Sequence, residues 1–386
     1  MEKSVLEFGA LGDGIHDDYA AFQAALDSGL STIVIPQGIY LISKTLKVHS
    51  NTTIVADKNA KMVMKSLSRR KRNEFLLSNS DTVNGNQNIK ITGGIWDGNN
   101  TATENSKPDL FYKSGYSGSM LNFINVENLI LSDMVLSNSV AYYIRFCKVH
   151  YFVIENIDFV CDSFGFNQDG LHFGGDVKHG KVKNIRALSY GQTNDDMIAL
   201  NADDSVERVE NLDLCRDTIE DITFENIFTE NCHTIIRMLS VTAEIKNLHF
   251  KNIYGGFRCY AINADAARYC MTPLFEENEY PDGVGKISDI YFEEFSCFPV
   301  LDLPKNFAGT KPVPHTAISL ESHMDNFKIS KFKYLCPKEN LKRCPAVIAK
   351  NLTGKKILAD NKEYFLERKD DVVILDQFEE ISINDI

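Results

Sequence analysis

Three acidic residues between positions 164 and 204 stand in the setting that carboxylate chemistry needs. Asp169 lies in NQDGLHF, and Asp195 and Asp196 lie in TNDDMIAL. In both, a turn-type cluster of Asn, Gln, Gly and Thr hands the carboxylates to the start of a short apolar run that reads as a strand. Neighbouring strands of one parallel sheet lie about 4.8 Å apart, so the carboxylates would converge. Like charges held this close push one pKa up, which keeps one carboxyl as a general acid while a partner stays ionised. The competing reading is that Asp after Asn or Gln merely completes a turn. Two such clusters opening successive strands count against it.

A repeating framework must position these turns. From about residue 86 a unit of the form apolar-x-apolar-x-Asn/Asp-apolar recurs: IKITGG at Ile89, LILSDM at Leu129, FVIENI at Phe152, GKVKNI at Gly180, ITFENI at Ile222, LHFKNI at Leu248, IYFEEF at Ile290 and FKISKF at Phe327. A period of roughly 22 to 28 residues with period-2 alternation, and no fixed Leu ladder, predicts a parallel β-helix rather than a leucine-rich repeat. The Asn at 156, 184, 226 and 252 recurs just before an apolar residue, as expected where an amide turns the chain and bonds to the coils on either side. Where the interval stretches to about 40 residues, loops are inserted at 97–120, with Phe111, Tyr112 and Tyr116, at 265–286 and at 299–316; such loops wall a cleft.

Each Asn-apolar unit is followed by a second strand: YYIRF, DGLHF, DMIAL, TIIRML and YAINA. With Ile144, Leu171, Ile198, Ile236 and Ile262 facing inward, the next residue of each points outward, giving a row Arg145, His172, Ala199, Arg237 and Asn263. The row would flank the acidic cluster, with arginines able to hold a hydroxyl or a carboxylate by charge-assisted bonds. An alternative register sets ALNAD against AINAD and aligns Asn201 with Asn263. The expected substrate contacts are His172, Arg145, Arg237, His233 and Asn263, and no metal or cofactor is expected.

The N-terminal segment EFGALGDG reads as a Gly-rich turn, Asp17 and Asp18 as a helix start, and AAFQAALDSG as an amphipathic helix ending at Gly29. A short helix followed by strands suits a cap over the end of a solenoid. The chain therefore reads as one all-β domain over residues 1–386, a single-stranded right-handed parallel β-helix with a short N-terminal capping helix. Residues 1–60 form the cap and first strands, 86–340 the repeating coils, and 341–386 a polar tail in which VVILD adds a last strand.

With 386 residues and 44% hydrophobic content the chain can bury a large core, and a net charge of −12 argues against nucleic acid or an anionic membrane as a partner. MEKSVLEFGALGDG has no apolar signal region and no apolar run spans a bilayer, so the expectation is a cytoplasmic protein, or a secreted one whose signal has been removed. Nine cysteines in mostly apolar surroundings, without metal-type spacing, read as buried free thiols rather than a disulfide framework.

FGALGDG followed by an Asp pair, then NQDG, then NDDMIAL about a coil later, resembles the right-handed β-helix proteins of the pectin-degrading superfamily, closest to the polygalacturonases, family 28 glycoside hydrolases. The first motif is shared with tailspikes, lyases and epimerases. The second and third resemble that family's Asn-Thr-Asp-Gly and Asp-Asp motifs. The resemblance implies that Asp169 matches the first catalytic Asp and Asp195 and Asp196 the acidic pair, one acting as general acid on the glycosidic oxygen and the others activating water with inversion. The family's Gly-His-Gly motif is absent; its place holds Cys232, His233 and Thr234. Its Arg-Ile-Lys motif has no clean match, and Arg237 is the nearest candidate. The function expected is an inverting, exo-acting glycoside hydrolase on an oligo- or polysaccharide. The alternatives are a polysaccharide lyase or uronate epimerase on the same fold, and a non-catalytic glycan-binding β-helix.

Overall fold

Along Val177–Ala187 the residues Val177, Val182, Ile185 and Ala187 are buried while Lys181, Lys183 and Arg186 face water, the alternation of a strand with one face on a core. The same pattern repeats in strand after strand, and successive coils pair in parallel. Ile154 stands beside Val182, Val182 beside Phe224, Phe224 beside Phe250 and Phe250 beside Phe292. Inside, this register stacks the rings of Phe224 and Phe250 at 4.5 Å and of Phe250 and Phe292 at 4.3 Å, offset contacts that add to the area each ring buries. The computed structural model describes residues 2–386 except 66–72, 101–116, 162, 166, 191, 205, 207–210, 268–273, 282 and 304–311. One core of buried side chains runs from Val5 to Ile383.

The strands that carry the site are, in chain order, β1 (Leu121–Ser137), β2 (Ile144–Val160), β3 (Leu171–Phe173), β4 (Val177–Ala187), β5 (Asp196–Asn201), β6 (Ile219–Leu239), β7 (Glu244–Asp265), β8 (Lys286–Pro299) and β9 (Ile318–Leu320). The long strands bend sharply at single residues. Asn156, Asn184, Asn226 and Asn252 adopt φ between 55° and 58°, a left-handed conformation that Asn tolerates better than other side chains. Their amides form a ladder: Asn252 Nδ2 donates to Asn226, Asn226 to Asn184, Asn184 to Asn156 and Asn156 to the Asp133 carboxylate, at 2.7 to 2.8 Å. The stacking role expected of these residues is what the structure contains.

The helix α1 (Tyr19–Asp27) packs Phe22 edge-on against Tyr40, centroids 5.0 Å apart, and buries Ala21, Ala25 and Leu26 in the common core. Asp18, expected to start the helix, precedes it without a side-chain cap; its buried carboxylate instead accepts the Leu11 and Gly12 amides of the Gly-rich turn. The last segment holds more structure than a polar tail. Val372–Leu375, the VVILD segment, pairs antiparallel with Val347–Lys350, and Ile381–Asp385 pairs antiparallel with Met324–Ser330 and Lys355–Ala359. Antiparallel pairing there closes the open edge that a parallel ladder would otherwise present. Of the three expected insertions, 101–116 with all three aromatics, 268–273, 282 and 304–311 lie outside the described residues.

Candidate active site

Among these strands β3, β5 and β9 are buried at every residue, so both of their faces are covered. Pairing sets Asn122, Arg145, His172, Ala199, Arg237, Asn263 and Ser319 in one row across β1, β2, β3, β5, β6, β7 and β9. This is the row read from the inward apolar residues. The alternative register is excluded, since Asn201 pairs with Leu239. A row facing away from the core was expected to meet solvent, yet Arg145, His172 and Ala199 are at most 1% exposed. Residues 211–217 lie against the row and cover part of it: Asn211 accepts from the Tyr142 hydroxyl and the Leu212 carbonyl accepts from Arg145.

That cover changes two expected roles. Arg145, expected as a sugar contact, is buried and already engaged: its guanidinium donates to Asn122 Oδ1 at 2.6 Å and to the Leu212 carbonyl at 3.0 Å and sits over the Phe75 ring. Its charge holds the cover to the coil. His172 is not open to a sugar either. Its Nδ1 is 2.7 Å from Asp169 Oδ2, its Nε2 lies 4.0 Å from Asp204, and the Tyr142 ring stacks on it at 3.9 Å. The imidazole therefore orients Asp169, as a buried ring held at its edges and by stacking can.

The three carboxylates do meet. The Gly170 amide bonds to the Asp196 carbonyl, which sets the Asp169 turn directly beside the start of β5. Asp195 Oδ1 is 3.3 Å from His233 Nδ1, and Asp196 Oδ2 is 3.8 Å from Arg237. Asp196 is 3% exposed; burial first, then the Asp195 and Asp169 charges, raise its carboxyl well above the usual range, against the pull of Arg237 and His233. Burial works against a charge on His233, but its bonds to Asp195 and Cys259 outweigh that and push its pKa up to about 10. The cluster thus sets a carboxyl biased toward its protonated form at Asp196 beside an imidazole biased toward its charged form at His233. Arg237 is shared: its other nitrogen lies 3.4 Å from Asp265, which also accepts from Asn263 at 2.9 Å.

Asp195, Asp196 and His233 offer donor atoms that all lie within 4.8 Å of one another, a spacing a divalent cation could use. A cation there would have to displace the His233 proton first.

Asp265, Asp204, Tyr142, Asn194 and Arg258 belong to the site and were not singled out from sequence. Arg258, fully buried, donates to both oxygens of Asn194 at 2.9 and 3.2 Å and so ties down the turn immediately before Asp195. The matching ALNAD and AINAD strings carried a signal for Asp265. For Tyr142, Asn194 and Arg258 the partners lie more than 60 residues away in sequence, which local pattern does not reach.

Residues 3–105 match the family described as rhamnogalacturonase A/epimerase, pectate lyase-like. This match ends before the acidic cluster begins. The preneck appendage protein of Bacillus phage PZA is 36% identical over 97 residues, covering 25% of this chain and 11% of that protein. Mannuronan C5-epimerase AlgE5 of Azotobacter vinelandii is 40% identical over 76 residues, covering 17% of this chain and 8% of the epimerase. The matched region thus spans about a tenth of the length of these relatives. Among solved structures, the family 28 exopolygalacturonase of Yersinia enterocolitica superposes with a TM-score of 0.53 at 17% identity, over 90% of this chain and 70% of that one. At that identity the likeness is one of fold. Among the described residues no helix is long and apolar enough to cross a membrane.

Proposed function

From a chain that carries the fold of the pectin-degrading β-helix superfamily, near the polygalacturonases, we propose an inverting glycoside hydrolase acting from a chain end of an oligo- or polysaccharide. The observation that carries this reading is the buried Asp196, whose carboxyl is pushed toward its protonated form by burial and by the Asp195 and Asp169 charges. Groups this close titrate together, so the proton belongs to the Asp195, Asp196 and Asp169 cluster rather than to one residue. During the reaction the cluster gives that proton to the glycosidic oxygen as the bond to the anomeric carbon breaks. The carboxylates left ionised take a proton from water, which attacks the opposite face. His172 keeps Asp169 aimed, and His233 balances the charge of Asp195 and returns protons to it.

The test is a screen of oligosaccharides, both uronate-containing and neutral, with NMR of the first-released anomer. An inverted anomer supports the reading; retention, or no release from any sugar, counts against it. We take the coil as right-handed, the sense that parallel crossovers adopt, as one domain over 1–386, with α1 covering its N-terminal end.

A second reading, a uronate lyase or epimerase, is favoured by the likeness to AlgE5 and by the three-donor cluster. It predicts activity lost to a chelator. A lyase would also give ultraviolet absorbance from a new C=C bond, and an epimerase an altered C5 configuration with no chain cleavage.

A further inference from the structure

Cys147 and Cys215 face each other across the cover of the catalytic row. Their sulfurs are 3.0 Å apart, and the Cys215 amide also donates to Cys147 Sγ at 3.2 Å. Cys147 is buried in β2, two residues beyond Arg145; Cys215 is half-buried, in the segment 211–217. That segment is bonded to the row and to residues beside it. The Tyr142 hydroxyl, whose ring stacks on His172, donates to Asn211, Arg145 donates to the Leu212 carbonyl, and Arg216 donates to the Asp204 carbonyl. Leu214 packs with Cys147 and Ile124 in a small apolar cluster set apart from the main core. Hydrogen bonds and this cluster secure the segment, with both thiols free.

We propose that Cys147 and Cys215 are a reversible dithiol–disulfide pair that fixes the 211–217 segment over the catalytic row, with a peroxide as oxidant. The two thiols differ in the way such chemistry needs. The hydrogen bond from Cys147 draws the Cys215 thiol below its ordinary pKa, whereas Cys147 is held protonated by that bond and by burial. The more accessible sulfur is thus the better thiolate.

Cys215 thiolate attacks one peroxide oxygen and the O–O bond breaks; the departing hydroxide is protonated, leaving a sulfenic acid and one water. Cys147 sulfur then attacks Cys215 sulfur, the S–O bond breaks, and the hydroxide leaves with the Cys147 proton as a second water. Two electrons pass from the thiol pair to the peroxide. Closing from 3.0 Å to a bond of about 2.05 Å asks for a shift of roughly 1 Å. A thiol reductant reverses the link by exchange. The consequence for catalysis rests on the hydrolase reading above; the bond itself does not.

The test uses the full chain, first reduced, then treated with hydrogen peroxide, alkylated with iodoacetamide, digested and mapped by mass spectrometry. The expected result is a peptide pair joined through Cys147 and Cys215, two hydrogens lighter than the reduced pair and absent after dithiothreitol. The oxidised chain should melt a few degrees higher. If glycosidase activity is found, it should survive heating longer in the oxidised form. Both cysteines alkylated after peroxide, or Cys215 carried to sulfinic acid with Cys147 free, overturns the proposal. Cys215→Ser should abolish the melting shift; should that variant fail to fold, the wild-type peptide map decides alone. Because the map needs no substrate, a missing hydrolase activity does not alter what it says about the bond.

Discussion

Two flanks of the same coils carry polar side chains in strict register, and they put them to opposite uses. Along the asparagine flank, Asn156, Asn184, Asn226 and Asn252 repeat one residue type and satisfy one another. Along the flank of the candidate site, Arg145, His172, Ala199, Arg237 and Asn263 occupy equivalent positions with four different residue types, and much of the row is buried. Like amides in register stabilise the coil and leave little reactivity over. Unlike ionisable groups crowded beside that row cannot all be satisfied at once, and the tension appears as a carboxyl pushed toward its neutral form at Asp196 and an imidazole pushed toward its charged form at His233. Where the repeat is kept the side chains are scaffold; where it is broken they form the proposed site.

The sharpest way to break this contrast is to neutralise the acids. Asp169→Asn and Asp196→Asn should each lower kcat by about 1,000-fold, within the range for loss of an acid or base, with circular dichroism unchanged. Near wild-type turnover in both would make the carboxylates structural and merge the two flanks. Asp196→Asn should also raise the melting temperature at pH 7. A carboxyl whose folded pKa lies well above 3.8 costs the folded state stability at every pH above its unfolded pKa, and an amide removes that cost. A lower melting temperature would mean that the ionised Asp196 is what the fold holds.

Asn226→Ala should do the reverse, costing about 2 kcal/mol through two lost amide bonds and a left-handed alanine, with kcat unmoved. Denaturant midpoints and kcat on the same preparations separate the two. Asn226→Gly keeps the backbone freedom and should cost less.

Arg237→Ala tests who owns the guanidinium. Since it lies between Asp196 and Asp265, kcat/KM should fall by a similar factor on a uronic acid substrate and on its neutral analogue. A loss confined to the uronide, by roughly 2 kcal/mol, would assign it to the substrate carboxylate. The smallest effect concerns His233. Its folded pKa of about 10 stands above an unfolded value of 6.5, so the stability from its pairing is whole below 6.5 and is lost as pH rises through 10. The melting temperature of wild type minus that of His233→Gln should shrink over that window; a constant difference would refute the pairing.

How much of this could be read from sequence follows from the same contrast. Period-2 alternation and the recurring Asn are local, so the coils, their register and the outward row were legible. The three carboxylates were legible because Gly-, Asn- and Gln-rich turns mark where strands open. What covers the row was not. Arg145 reads as an exposed contact until Leu212, 67 residues on, arrives to accept its hydrogen bond. A partner that far along leaves no trace in the spacing around Arg145. Asp17 and Asp18 do mark the helix start, with the Tyr19 amide donating to Asp17, but the Asp18 carboxylate turns back to receive the amides of the turn preceding it.

The amide ladder also has a direction. Every rung donates from the later coil to the earlier one, from Asn252 back to Asn226, Asn184, Asn156 and at last the Asp133 carboxylate. An incoming Asn therefore finds its acceptor only if the preceding coil is already wound. Since synthesis delivers the earlier coil first, each finished turn is a template for the next. The chain can wind from one end as it emerges, with the carboxylate as the anchor for the first asparagine rung.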